Sequence, residues 1–380
     1  MFLPTSRVSR AAIVALGAAA AIACSETPEH ALAEARRLQD AGRSEAAMKK
    51  VDTLLEKNPG LFEARLYRAV LVGAQTGREE EGLSALRQLA QAEPRRTGVH
   101  RAMGQILART GRFAQAVNQF EKELAIDPAD TETLTDLGLF YFQTGQTDQA
   151  EDRLRRATAD GAGNARAYRA LAEISLRAGR IEEGLAQQRR ALELTPDDAD
   201  LVVTHARALG AYGHAPDAKA LLDAAVARGL KDAALPAEQA RQAREGLDYV
   251  GAVAAYRRSL DIDPTRSATL MELGKTLLLM GRRDEARAAF EAGRDASPSD
   301  PYPWFYLGTM SADDGALEPA ISDLRRSLEL DPVNPKAHYA LAQALLRSGR
   351  PDEAQAEFAR HAESLDFLRS NRTQGTSTLD

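Results

Sequence analysis

Six histidines, one cysteine and a set of evenly placed aspartates are the side chains of this 380-residue sequence best suited to chemistry. A zinc or iron site needs several imidazoles or thiolates converging on one point. His30, His100, His205, His214, His338 and His361 have no second His and no Cys at ligand spacing, so no metal site is expected. Acyl transfer on a nucleophile elbow would need G-x-S-x-G, and phosphate or dinucleotide binding a glycine-rich loop after a strand. Neither is present, and Gly161-Ala162-Gly163 lies between helical stretches. No cofactor and no catalytic residue are therefore expected. Asp127, Asp197, Asp198, Asp263 and Asp331 fall where one helical stretch stops and the next starts. There a carboxylate accepts backbone N–H bonds and faces the positive end of a helix, so capping or turn-making accounts for them.

The cysteine stands apart. Arg7 and Arg10 form a basic start, Ala11 to Ala23 is an uncharged apolar run, and Ala21-Ile22-Ala23 offers a small-residue cleavage site. That run is well short of the roughly 20 residues that a membrane-spanning helix needs, so residues 1–23 read as a removable export signal. Cys24 follows at once and is the only thiol in the chain. The junction Ala21-Ile22-Ala23-Cys24 resembles the bacterial lipobox, although Leu is commoner than Ala at its first place. The resemblance implies lipidation of Cys24, export, and a membrane anchor on the periplasmic side; Ser25 rather than Asp resembles the signal for outer-membrane sorting in a Gram-negative cell. Ordinary cleavage at the same bond, leaving a free thiol, is the alternative.

The elements that must position everything else are helices. Composition is rich in the helix formers Ala, Leu, Glu and Arg, with only 5% aromatic residues. The formal charge is −6 and the two signs alternate along the sequence, which describes solvated helix faces rather than a basic surface; no nucleic acid partner is expected.

A fixed period runs through the glycines. Gly77, Gly111, Gly145, Gly179 and Gly213 are 34 residues apart, Gly281, Gly315 and Gly349 continue the series, and Gly42 precedes it by 35. With this glycine at position 15, the units are 28–61, then 63–96, 97–130, 131–164, 165–198, 199–232, 233–266, 267–300, 301–334 and 335–368. Position 20 is Ala or Gly in each unit, position 8 is mostly small, and position 32 is Pro in seven, from Pro59 to Pro332. Glycine can turn the chain in the left-handed region after a first helix, and proline stops a second one. Apolar residues recur at three- and four-residue steps between these stops, as in Leu134, Leu137 and Tyr141, then Ala150, Leu154 and Ala157. Such hairpins bury their stripes only by stacking.

This pattern resembles the tetratricopeptide repeat family over residues 28–368. The resemblance implies an all-α, right-handed superhelical solenoid of about ten helix-turn-helix repeats, with first helices lining a concave groove that holds protein or peptide partners. The expected organisation is a signal peptide at 1–23, a short linker at 24–27, repeats one to six at 28–232, repeats seven to ten at 233–368, and a disordered tail at 369–380. Unit 233–266 departs from the pattern. Leu247 stands at position 15 with Gly246 one place early, and Ala237, Ala240 and Ala243 offer little to the core. It is expected to be the softest joint.

The resemblance also assigns the groove to positions 2, 5, 9 and 12 of the first helices. Position 9 is never Asn, so the carboxylate clamp that some family members use is not expected. Arg207, Arg241, Arg244 and Lys275 line up there, followed by Tyr302, Phe305 and Tyr339. These seven are the candidate partner-binding residues, a basic strip running into an aromatic one, suited to an extended segment with acidic residues and an apolar anchor. The alternative is that the cations pair with Glu238, Glu245 or Glu272 and the rings only pack between units. His100 and His338 share position 4 with Trp304 and read as packing residues. The functional expectation is a non-enzymatic scaffold of the cell envelope, membrane-bound through its lipid. A pilus- or secretion-assembly lipoprotein is one alternative, and an accessory enzyme with an unrecognised active site is another.

Overall fold

The computed structural model describes residues 27–161 and 164–376. The expected signal segment and Cys24 lie outside the described residues. Among those described, the regular structure is helical throughout, with one short 3-10 turn at Ala159–Gly161 and no strand.

Two compact units divide at Ile174/Ser175. The first holds α1 (Pro28–Asp40), α2 (Ser44–Lys57), α3 (Phe62–Gly73), α4 (Glu79–Ala92), α5 (Val99–Arg109), α6 (Phe113–Ile126), α7 (Thr131–Gln143) and α8 (Thr147–Ala157), and the division falls inside α9 (Ala165–Arg177). The second continues with α10 (Ile181–Leu194), α11 (Ala199–Ala211), α12 (Ala215–Ala227), α13 (Ala234–Glu245), α14 (Tyr249–Ile262), α15 (Ser267–Leu279), α16 (Arg283–Ala296), α17 (Pro301–Asp313), α18 (Leu317–Leu330), α19 (Pro335–Arg347) and α20 (Pro351–Thr376). Odd-numbered helices are the first and even-numbered the second of each hairpin.

The hairpins close as their residue types dictate. Nine of the ten position-15 residues are glycines with φ between 72° and 88°. In the tenth, Leu247 itself takes the left-handed turn at φ 64°, the one non-glycine with positive φ among the described residues, while Gly246 stays at −77°. The glycine one place early therefore does not make this turn. Starts are capped from the preceding residue: Asp130, Asp198 and Asp300 accept from Glu132, Leu201 and Tyr302 N–H, and Asn334 accepts from Lys336 and Ala337 N–H just before Pro335 at the first helical position. Asp127, Asp263 and Asp331 accept from backbone N–H groups two residues on, so they shape the turns between units. Small residues at position 8 admit large ones at position 24. A Cβ on Gly274 would stand 2.5 Å from the Phe290 ring, which is fully buried, so glycine lets the two helices meet across that ring.

The described residues differ from the expected organisation at two points, the division between units and the end of the last helix. The division at Ile174/Ser175 differs from the expected one at 232/233. Around 228–233 the chain is held: α13 begins at Ala234, two residues before Pro236, so Leu235 joins the core fully buried, and both α11 and α12 pack on α13. The last helix continues to Thr376, into the segment expected as a disordered tail, because nothing after Pro351 stops it and Ser364 is buried while Leu365 is half-buried.

In the second unit α11 packs on α13 and α17 on α19, first helix on first helix. On the other side the second helices part, leaving a cleft of about 630 Å³ between α10 and α12 and one of about 710 Å³ between α18 and α20. The surface of the first helices is thus the inner, tighter side of this unit.

Candidate functional site

All seven candidate binding residues sit on first helices of the second unit. The four cations are not a free strip. Arg207 on α11 donates to Glu238 on α13, and Arg241 donates through Nε to both Glu238 oxygens at 2.9 and 3.0 Å and also meets Glu245. Arg244 lies 2.9 Å from Glu272 on α15, whose other oxygen takes the Lys275 ammonium. The result is a chain of ion pairs linking α11, α13 and α15. Its physical cause is the placing of Glu at position 6, one helical turn before the position-9 cation, on both α13 and α15. Tyr256 is buried below this network, its pKa pushed up to about 12 by burial, and its hydroxyl has no hydrogen-bond partner among the described residues.

The aromatic half is different. Tyr302 and Tyr339 are 52% and 48% exposed, and Leu346, at position 12 of the last unit, is 50% exposed. Phe305 is half-buried, edge-on to Tyr306 at 5.2 Å, and Tyr306 stacks on Phe290 at 4.7 Å. Tyr339 lies edge-on to Phe358 at 5.8 Å and beside His361 at 5.5 Å. The second helix α20 thus holds the exposed Tyr339 ring in place. Sequence reasoning named Tyr339 but missed Leu346, although position 12 had been assigned to the groove.

Two position-4 side chains fasten their units to the preceding ones. Trp304 Nε1 donates to the Pro298 carbonyl at 3.2 Å, and His338 Nε2 lies 3.0 Å from the Pro332 carbonyl, each proline being the position-32 stop of the preceding unit. The other nitrogen of His338 meets Glu357 Oε2 at 2.6 Å. His100 contacts Gln119 at 2.8 Å. His205 is buried against Gln188 Oε1 at 2.9 Å, on the floor of the cleft between α10 and α12. Burial, helped by the Arg189 charge, lowers its pKa to about 4. Among the described residues no group of three His, Cys, Asp or Glu is placed to hold a metal ion, and no helix is long and apolar enough to cross a membrane.

Repeated hairpins with one turn geometry and one small-residue crossing define a class of helical repeats. Two models of the tetratricopeptide repeat match, one at residues 74–131 and the other at 107–174, 243–304 and 311–366, together more than half of the sequence. The chain belongs to the tetratricopeptide repeat family. It is 22% identical over 300 residues to BBSome complex member BBS4 of Bos taurus, a match covering 78% of this chain and 50% of that protein. It is 29% identical over 167 residues to cellulose synthase operon protein C of Pseudomonas fluorescens (strain SBW25), covering 42% of this chain and 13% of that one. The chain thus spans half the length, or less, of these two curated relatives. Among solved structures, the C-terminal part of a TPR repeat-containing protein from Cytophaga hutchinsonii is similar at a TM-score of 0.51 with 15% identity, covering 63% of this chain and 98% of that one.

Proposed function

We propose that this protein is a non-enzymatic scaffold that binds a protein or peptide partner on the first-helix face of its second unit, and that it is held at a membrane of the cell envelope through Cys24. The observation that carries the binding reading is the exposure of Tyr302, Tyr339 and Leu346 on the inner side of that unit. The half-exposed Tyr339 ring, packed on its other edge by Phe358 and His361, loses little freedom on binding, and such residues dominate interface energetics. The family supports the same reading, and the similar BBSome protein is by name a member of a complex. The envelope location rests on the sequence junction Ala21-Ile22-Ala23-Cys24 alone.

The test is site-specific photocrosslinking in the native cell. A photoreactive phenylalanine analogue at position 302 or 339 should capture a discrete partner, while the same analogue at Phe113, exposed at the start of α6 in the first unit, should not. Equal capture from all three places, or from Phe113 alone, would remove the assignment to this face.

A further inference from the structure

We infer that the partner segment is acidic at both ends of an apolar centre, and that it lies along α19 between Lys336 and Arg347. The inference rests on the reading of the first-helix face as the binding surface and adds the chemistry of what it takes.

The cations upstream on this face are engaged, each by a carboxylate of its own or the next helix. On α19 the situation reverses. Lys336 and Arg347 are exposed, and neither side chain meets a carboxylate among the described residues. They lie about three turns apart, hence on one stripe of the helix, roughly 16 Å from end to end at 1.5 Å per residue. Between them on the same side stand Tyr339 and Leu346, both about half exposed, and Gln343, half-buried. The stripe holds no acidic side chain, so its field is positive at both ends and neutral in the middle. A partner with the reverse pattern gains two charge-assisted contacts while covering two apolar side chains. An extended chain rises about 3.3 Å per residue, so a partner segment crosses the span in about five residues. Tyr339 is already fixed by Phe358 and His361, and His361 in turn by its contact with the Pro335 carbonyl at 2.8 Å, so the central anchor is ordered before the partner arrives.

The test is selection of a random twelve-residue peptide library on the immobilised full chain, followed by fluorescence anisotropy of the enriched peptides at low and high salt. The inference expects enriched peptides with Asp or Glu flanking aromatic or aliphatic residues. It also expects affinity to fall about tenfold in Lys336→Glu/Arg347→Glu, the size expected when two exposed pairs are reversed, and to weaken with salt. Both positions are exposed, and circular dichroism of the double variant should match the parent. Enriched peptides with no acidic bias that lose affinity in Tyr339→Ala but not in the charge-reversed variant would overturn the acidic partner and leave the binding face standing. No enrichment at all would overturn both.

Discussion

Arg207 on α11 donates to Glu238 on α13 at 3.2 Å, and the two ends of that bond lie in different surroundings: the Arg207 side chain is 61% exposed and that of Glu238 only 2%. The carboxylate is therefore the committed partner. It is held additionally by Arg241 of its own helix, whereas Arg207 keeps most of its hydration.

That asymmetry predicts unequal losses. Glu238→Ala leaves Arg241 half-buried without its main acceptor and should destabilise the second unit by about 3 kcal/mol. Arg207→Ala removes one exposed partner and should cost less than about 1 kcal/mol. Urea denaturation followed by circular dichroism, with hydrogen exchange on α13 to localise the effect, measures both. Equal losses would show that Glu238 draws no special stability from its burial.

Leu247 bears the turn that glycine bears in the other nine units. Its side chain is 72% exposed, so replacing it removes little packing, while its left-handed φ costs a side-chain-bearing residue about 1 kcal/mol. Leu247→Gly should raise stability by up to about that amount, less the extra freedom that glycine gives the unfolded chain. Hydrogen exchange of 233–266 should slow in the variant relative to 267–334. A faster exchange there would mean that Leu247 holds the loop by contacts that outweigh its strain. The same measurement on the parent tests whether this unit is the softest interior joint.

His205 gives the second unit a pH dependence of definite sign. In the fold its pKa is near 4, and in the unfolded chain it is near 6.5, so between these values the unfolded state binds the proton and the native state does not. The stability that neutral His205 contributes is complete above about pH 6.5 and is lost as pH falls towards 4. His205→Gln, which cannot take up a proton there, should show a flatter stability profile across that window. Identical slopes in parent and variant would refute the assignment to His205.

Lipidation at Cys24 would put the protein in the membrane fraction. Cys24→Ser should then release it in soluble form with its helix content unchanged. Membrane association that persists in that variant would exclude an anchor at this residue.

The hairpins were legible because a turn or a stop depends on one residue's backbone freedom, and Gly111 or Pro264 displays that freedom in its type alone. Gly274 facing Phe290 could have been found the same way, since glycine at position 8 with a ring at position 24 is a volume match within one unit. The pairing of Glu238 with Arg241 was visible as an i,i+3 step. Its second bond, to Arg207, joins different hairpins: Glu238 stood among the partners the sequence offered the cations, and which of them Arg207 meets depends on how far one first helix is displaced against the next. The extent of exposure at Leu346 was hidden for the same reason.

The parting of the second helices gives the second unit unequal stiffness on its two sides. Opening its inner side stretches ion pairs such as Arg207 with Glu238, whereas closing its outer side expels water from a furrow of about 630 Å³. A partner pulling this unit tighter works against hydration, and one prising it wider works against electrostatics, so added salt softens the unit in one direction and osmotic pressure drives it in the other.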